Sequence, residues 1–202
     1  MVWYKEKKEN RNIDFIEIGV SSFRTISQKC SDTERGICID PVKEYLNFLP
    51  DKDNVLKINS VISYGEDSTQ TDIFYIPEEE IRTKSLTRGH TYTEESYKNI
   101  KYAEYSLKKQ PSVDIIDIRH FFDKYSISYC NYMKIDLEPY TSKIIEGLYQ
   151  SILDGNLKFL PTIIMLTIYD IEKFEKTIEI LSGFGYKFFR VPDTDNFLFT
   201  SS

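Results

Sequence analysis

Histidine is almost missing from this chain: His90 and His120 are the two it has in 202 residues. That excludes a histidine-built metal centre. Cysteine is nearly as scarce. Cys30, Cys38 and Cys130 form an odd, widely spaced set, which argues against a disulfide framework and against a zinc site. Cys38 and Cys130 lie inside apolar runs, so packing is their expected role. Positive charge is in deficit too, with 26 bases against 32 acids and a net charge of −6, which is not the basic footprint of a nucleic-acid binder. Long apolar runs are absent: no stretch approaches the ~20 residues a membrane-spanning helix needs. The first residues, MVWYKEKKENRN, are charged and carry no apolar leader core. The chain is therefore expected to be soluble and cytoplasmic, without nucleic-acid or membrane partners.

What is present is a globular composition, 41% hydrophobic and 14% aromatic, in a length that fits one domain over 1–202. Short apolar runs alternate with amphipathic stretches. IDFIEIGV (Ile13–Val20), GICIDP (Gly36–Pro41), NVLKINSVISY (Asn54–Tyr64), TDIFYIP (Thr71–Pro77), YMKIDLE (Tyr132–Glu138) and PTIIMLTIYD (Pro161–Asp170) read as strands. One helix is expected from a cap at Thr141 or Ser142, through Ile144, Ile145, Leu148 and Ile152, to Gly155. A second should start from Asp170, with Phe174, Ile178 and Leu181 on one face. The tail reads as two strands around PDTDN. Strands alternating with helices of about 12 residues imply an α/β domain with a mainly parallel sheet, and the closing hairpin puts one antiparallel strand into it. The stretch 78–112 is polar and rich in tyrosine, and is expected to form a lid or binding loop.

In an open parallel sheet, ligands bind beyond the carboxyl ends of the strands. Glu17 and Gly19 close the first strand, Asp40 the second, and Lys134, Asp136 and Glu138 the one before Pro139. Gly19 allows a sharp turn and a close approach to backbone. Asp40 is placed to accept both hydroxyls of a ribose diol. Lys134, Asp136 and Glu138 fall at every second position, so an extended strand turns them to one side. The plainer alternatives are a buried backbone hydrogen bond for Glu17, a helix cap for Asp40, and an ion pair that fixes the strand end for the stripe.

The run YMKIDLEPYTSKIIEGL resembles the signature segment of FkbM-type methyltransferases, a lysine-x-aspartate-x-glutamate-glycine pattern followed by a helix. Lys134, Asp136, Glu138, Gly147 and Leu148 stand in or near the corresponding places. FIEIG resembles the family's cofactor motif, CIDP its acidic-proline pair, VDIIDIRHFFDKYSI the helix that enters the signature, and GYKFFRV with NFLF the closing hairpin. The similarity runs over roughly Ile13 to Thr200. It departs from the pattern at Phe23, where a second loop glycine is usual, at Pro139 in place of the signature glycine, and at Thr167 in place of an acid.

The resemblance implies a Rossmann-like class I methyltransferase fold with a seven-stranded, mainly parallel sheet, and S-adenosylmethionine as cofactor. Glu17, Gly19 and Ser21 would meet its methionine end, Asp40 its ribose, and Ser63 its adenine side. The reaction implied is O-methylation of a hydroxyl on a sugar, a glycan or a small metabolite. Asp136 and Glu138 would serve as base or as ligands of Mg2+ or Mn2+, with Lys134 paired to one of them. The expected partners are that acceptor and a second copy of the chain. The competing reading, which the missing second loop glycine favours, is a non-catalytic binding or scaffold domain of the same fold. A nicotinamide-dependent oxidoreductase is disfavoured, because the tight glycine-x-glycine-x-x-glycine turn is missing.

Overall fold

The computed structural model describes residues 10–20, 25–66, 68–84, 91–93, 106–137, 139–168, 171–192 and 194–201. Its strands are β1 (Arg11–Ile18), β2 (Gly36–Asp40), β3 (Val55–Asn59), β4 (Val61–Ser63), β5 (Gln70–Tyr75), β6 (Thr91–Thr93), β7 (Lys108–Asp117), β8 (Ile127–Ile135), β9 (Ile163–Thr167), β10 (Tyr186–Arg190) and β11 (Asn196–Ser201). The helices are α1 (Lys43–Asn47), α2 (Glu78–Thr83), α3 (Ile118–Lys124), α4 (Thr141–Leu153) and α5 (Ile171–Gly183), with a 3-10 turn at Ile26–Gln28.

Seven strands form the main sheet in the order β10-β11-β9-β8-β1-β2-β3. β1 runs parallel to both β2 and β8, and β3 and β9 continue the parallel ladder outward on either side. β11 is antiparallel to both β9 and β10. This is a Rossmann-like α/β arrangement, mainly parallel, with one antiparallel strand supplied by the C-terminal hairpin. β1 lies in the middle of the sheet, β2 and β3 extend it to one side, and β8 lies on the other. Strand order therefore reverses between β1 and β8, and it is at the carboxyl ends flanking such a reversal that sheets of this kind bind ligands.

Burial explains why the central strands read as continuous apolar runs. Both faces of the sheet are covered, so β2 is buried at every position and β1 from Phe15 to Ile18. On one face, Ile16, Ile39, Met133 and Leu166 pack with Phe121 of α3 and Ile145 of α4. On the other, Phe15 and Cys38 pack with Tyr45 of α1, Ile73 of β5, Ile81 of α2 and Val113 of β7.

The stretch Asn54–Tyr64, expected as one strand, is two. β2 stops at Asp40, and Pro41 has no N–H to extend the ladder. The neighbouring chain then leaves the main sheet at Ser60, whose N–H donates to the Asp40 carbonyl. Beyond it, β4 pairs with β7 in a second sheet of order β4-β7-β5-β6. Of the stretch 78–112, read from sequence as a lid or loop, the described residues form α2, β6 and the start of β7. Ile81 of α2 is buried, and the Glu78 N–H donates to Glu44 Oε1 at 2.8 Å, so α2 is docked on the domain.

The cap expected at Thr141 or Ser142 is displaced. The N-cap position is Tyr140, with no side-chain cap, and the Thr141 hydroxyl turns back to accept from the Leu137 N–H at 3.3 Å. The Asp170 cap lies outside the described residues, but α5 presents Phe174, Ile178 and Leu181 to the core as the spacing requires. No helix among the described residues is long and apolar enough to cross a membrane.

Candidate functional site

The switch point brings the carboxyl ends of β1, β2 and β8 together. Gly19 follows β1 with φ at +84°, and a Cβ added there would stand 2.2 Å from the Asp136 carbonyl oxygen. Glycine is required here on two counts: the left-handed backbone and the contact with β8. Hydrogen bonds close the seam on either side, from Gly19 N–H to the Ile39 carbonyl and from Asp136 N–H to the Ile18 carbonyl, both at 2.9 Å.

One residue inside the edge, Glu17 and Lys134 face each other in register across β1 and β8. Lys134 Nζ donates to Glu17 Oε1 at 2.9 Å, with Glu17 fully buried and Lys134 5% exposed. The other oxygen, Oε2, accepts from the Ile26 N–H at 3.0 Å. This pair joins neighbouring strands, which lie about 4.8 Å apart in a sheet. Burial pushes the Glu17 carboxyl above its ordinary range, and the Lys134 charge pulls against that.

Asp40 ends β2 and is 2% exposed. Its Oδ2 accepts from the Val20 N–H at 2.9 Å and its Oδ1 from the Val42 N–H at 2.8 Å. The second bond is the two-residue side-chain turn that aspartate commonly makes. Burial raises the carboxyl to about 7; the two N–H donors oppose that rise, and the charges of Asp136 and Glu17 add to it. Asp136 itself is half-buried and adds its field to both of the deeper acids. The three carboxylates therefore share one electrostatic neighbourhood.

Ser63 lies in the second sheet. It ends β4 opposite Asp117 of β7, and its hydroxyl is buried with no hydrogen-bond partner. Beside it, Asp117 caps α3 through the Arg119 N–H at 2.8 Å and takes the Arg119 guanidinium at 2.6 Å, while that guanidinium lies 5.3 Å from the centre of the Tyr64 ring. Thr167 ends β9, where its hydroxyl donates to the Asn196 side-chain oxygen at 2.8 Å. Ser21 and Glu138 lie outside the described residues. Among the described residues no three acidic, cysteine or histidine donors converge as a metal site would need.

Sequence reasoning missed Asn59 and Gln110. Asn59 Nδ2 donates to the carbonyls of Asp40 and Pro41, and Gln110 Nε2 donates to the Pro41 carbonyl and to Asn59 Oδ1. Together they fix the turn after β2. Asn59 follows an apolar strand and so carried a signal. Gln110 carried none, because it arrives from 69 residues away in the chain.

No family model and no curated protein matches this chain. A solved structure of a precorrin-6y C5,15-methyltransferase from Geobacter metallireducens GS-15 is similar over 95% of this chain and 80% of that one, with a TM-score of 0.42 and 11% identity.

Proposed function

We propose that this chain is an S-adenosylmethionine-dependent O-methyltransferase whose acceptor is a hydroxyl of a sugar, a glycan or a small metabolite. The observation that carries the reading is the grouping of Glu17, Asp40 and Asp136 where strand order reverses, around the glycine turn at Gly19. A cofactor bearing a sulfonium and an ammonium suits an edge with acidic excess, since opposite charge in a partly dry site interacts more strongly than in water. The unpartnered Ser63 hydroxyl fits a further polar group of the same ligand, because a buried hydroxyl left without a partner is costly. The FkbM-like signature around Lys134 and Asp136 gives the reaction class.

When bound, S-adenosylmethionine supplies a methyl group on sulfonium sulfur. This chain's part is to place the acceptor hydroxyl and to remove its proton. Asp136 is the described carboxylate with the access to do this, being half-buried where Glu17 and Asp40 are shut in. Glu138 stays in the reading as the second acid of the signature.

A second reading, a non-catalytic domain of the same fold, is favoured by the full engagement of Glu17 and Asp40 with their own chain. Isothermal calorimetry with S-adenosylmethionine and S-adenosylhomocysteine separates the two. A single site is expected, and absence of both heat and thermal stabilisation up to millimolar ligand overturns the enzyme reading.

A further inference from the structure

Two buried carboxylates hold the chain on either side of the connection that follows β1. Asp40 takes the Val20 N–H at 2.9 Å, and Glu17 takes the Ile26 N–H at 3.0 Å. Each gives its second oxygen to another fixed partner, the Val42 N–H for Asp40 and Lys134 Nζ for Glu17. We infer that Glu17, Lys134 and Asp40 are positioning residues, which fix where the chain leaves β1 at Val20 and where it resumes at Ile26, and so shape the cofactor edge without touching the cofactor. This rests on the methyltransferase reading, and it changes the roles of Glu17 and Asp40 from contacts to supports.

Geometry is the reason. Glu17 is 0% and Asp40 2% exposed, and both oxygens of each are already engaged. A ligand reaches either carboxylate only if the chain packed over it moves, and that chain includes the backbone N–H groups these oxygens hold. The connection after the first strand is also the segment a ligand meets in this class of sheet. Lys134 enters because an ionised Glu17 in the interior needs a countercharge. Without it Glu17 takes up a proton, and a neutral carboxyl is a weaker acceptor for the Ile26 N–H. Through Glu17, Lys134 thus acts on the connection.

The test measures amide hydrogen exchange at Val20 and Ile26 in the ligand-free chain, with amides of α4 as the control for global opening, and S-adenosylhomocysteine affinity by calorimetry. Lys134→Met is expected to speed exchange at Ile26 by about tenfold or more relative to α4, and to weaken the ligand by a similar factor. The double variant Glu17→Gln with Lys134→Met keeps an oxygen acceptor for Ile26 and strands no charge, so it should restore both readouts to within a few-fold of wild type. Restored Ile26 protection with affinity still lost would mean that the Glu17 charge meets the ligand, and would overturn the inference. Unchanged exchange at Ile26 in Lys134→Met overturns it as well. If that variant does not fold, Asp40→Ala reads the other end: faster exchange at Val20 supports the inference, and unmoved exchange defeats it. A chain whose exchange follows the expected pattern but which takes up no S-adenosylhomocysteine supports the tethers and overturns the methyltransferase reading instead.

Discussion

Lys134 on β8 and Glu17 on β1 form an ion pair of 2.9 Å in the interior, at the same register across the two strands between which the sheet reverses. Removing two charges from water costs several kcal/mol per ion, and the pair offsets this only while both members are present. Lys134→Met should therefore destabilise the fold by about 3–5 kcal/mol, whereas adding Glu17→Gln should recover most of the loss. Urea denaturation of the two variants checks this. Equal midpoints for the single variant and wild type would show that Glu17 is already neutral in the fold.

Gly19→Ala should be among the most damaging changes at this edge. Left-handed backbone costs a residue with a side chain about 1–2 kcal/mol, and here the new Cβ would also meet a main-chain oxygen that cannot rotate away. The expected result is a lowered urea midpoint together with weakened S-adenosylhomocysteine binding. A variant as stable as wild type would mean that β8 can shift away from β1 at little cost.

Asp40 gives the molecule a pH dependence of definite sign. Its carboxyl is raised in the folded chain to about 7 from an ordinary 3.8, so the folded state holds the proton more tightly than the unfolded state does. The associated stability is complete below the unfolded value and is lost as pH rises through about 7. Comparing wild type with Asp40→Asn, the stability difference should shift against wild type between pH 5 and pH 8, by about one proton's slope. Parallel curves over that interval would refute the raised carboxyl.

Asp136→Asn separates base from support. Loss of a general base typically costs about 10²–10⁴ in rate. Turnover on a verified acceptor should fall in that range while cofactor affinity stays within a few-fold. Full turnover in this variant removes Asp136 from the chemistry.

Ser63→Ala should leave stability unchanged or slightly raised, since it deletes a buried hydroxyl that has no partner. If that hydroxyl meets the cofactor, affinity falls by about 0.5–1.5 kcal/mol, up to roughly tenfold. Unaltered affinity in calorimetry places the ligand away from β4.

Several features were legible from residue order alone. Ile and Phe runs bounded by glycine, proline or charge gave β1, β2, β8 and β9, because strands covered on both faces have few polar positions. Periodic Ile144, Ile145 and Leu148, and Phe174, Ile178 and Leu181, gave α4 and α5, and the tail gave the β10–β11 hairpin. Gly19 could be singled out because it follows a strand directly. These are local properties, fixed by propensity and by hydrophobic period.

Pairing was decided only in three dimensions. A period of two shows that Lys134 and Asp136 share a side, yet not that Glu17, 117 residues away, stands opposite Lys134. That needs the crossover which lays β8 beside β1. The same holds for Asp40, whose acidic-proline pattern suggests a ligand contact or a cap, while the folded chain gives its two oxygens to Val20 and Val42. It holds again for the break at Ser60, where the departure of β4 to meet β7 depends on a strand about fifty residues later in the chain. Local sequence determined which segments are strands and helices. The register between distant strands determined which charges meet, because hydrogen-bonded ladders join residues with no proximity in the chain.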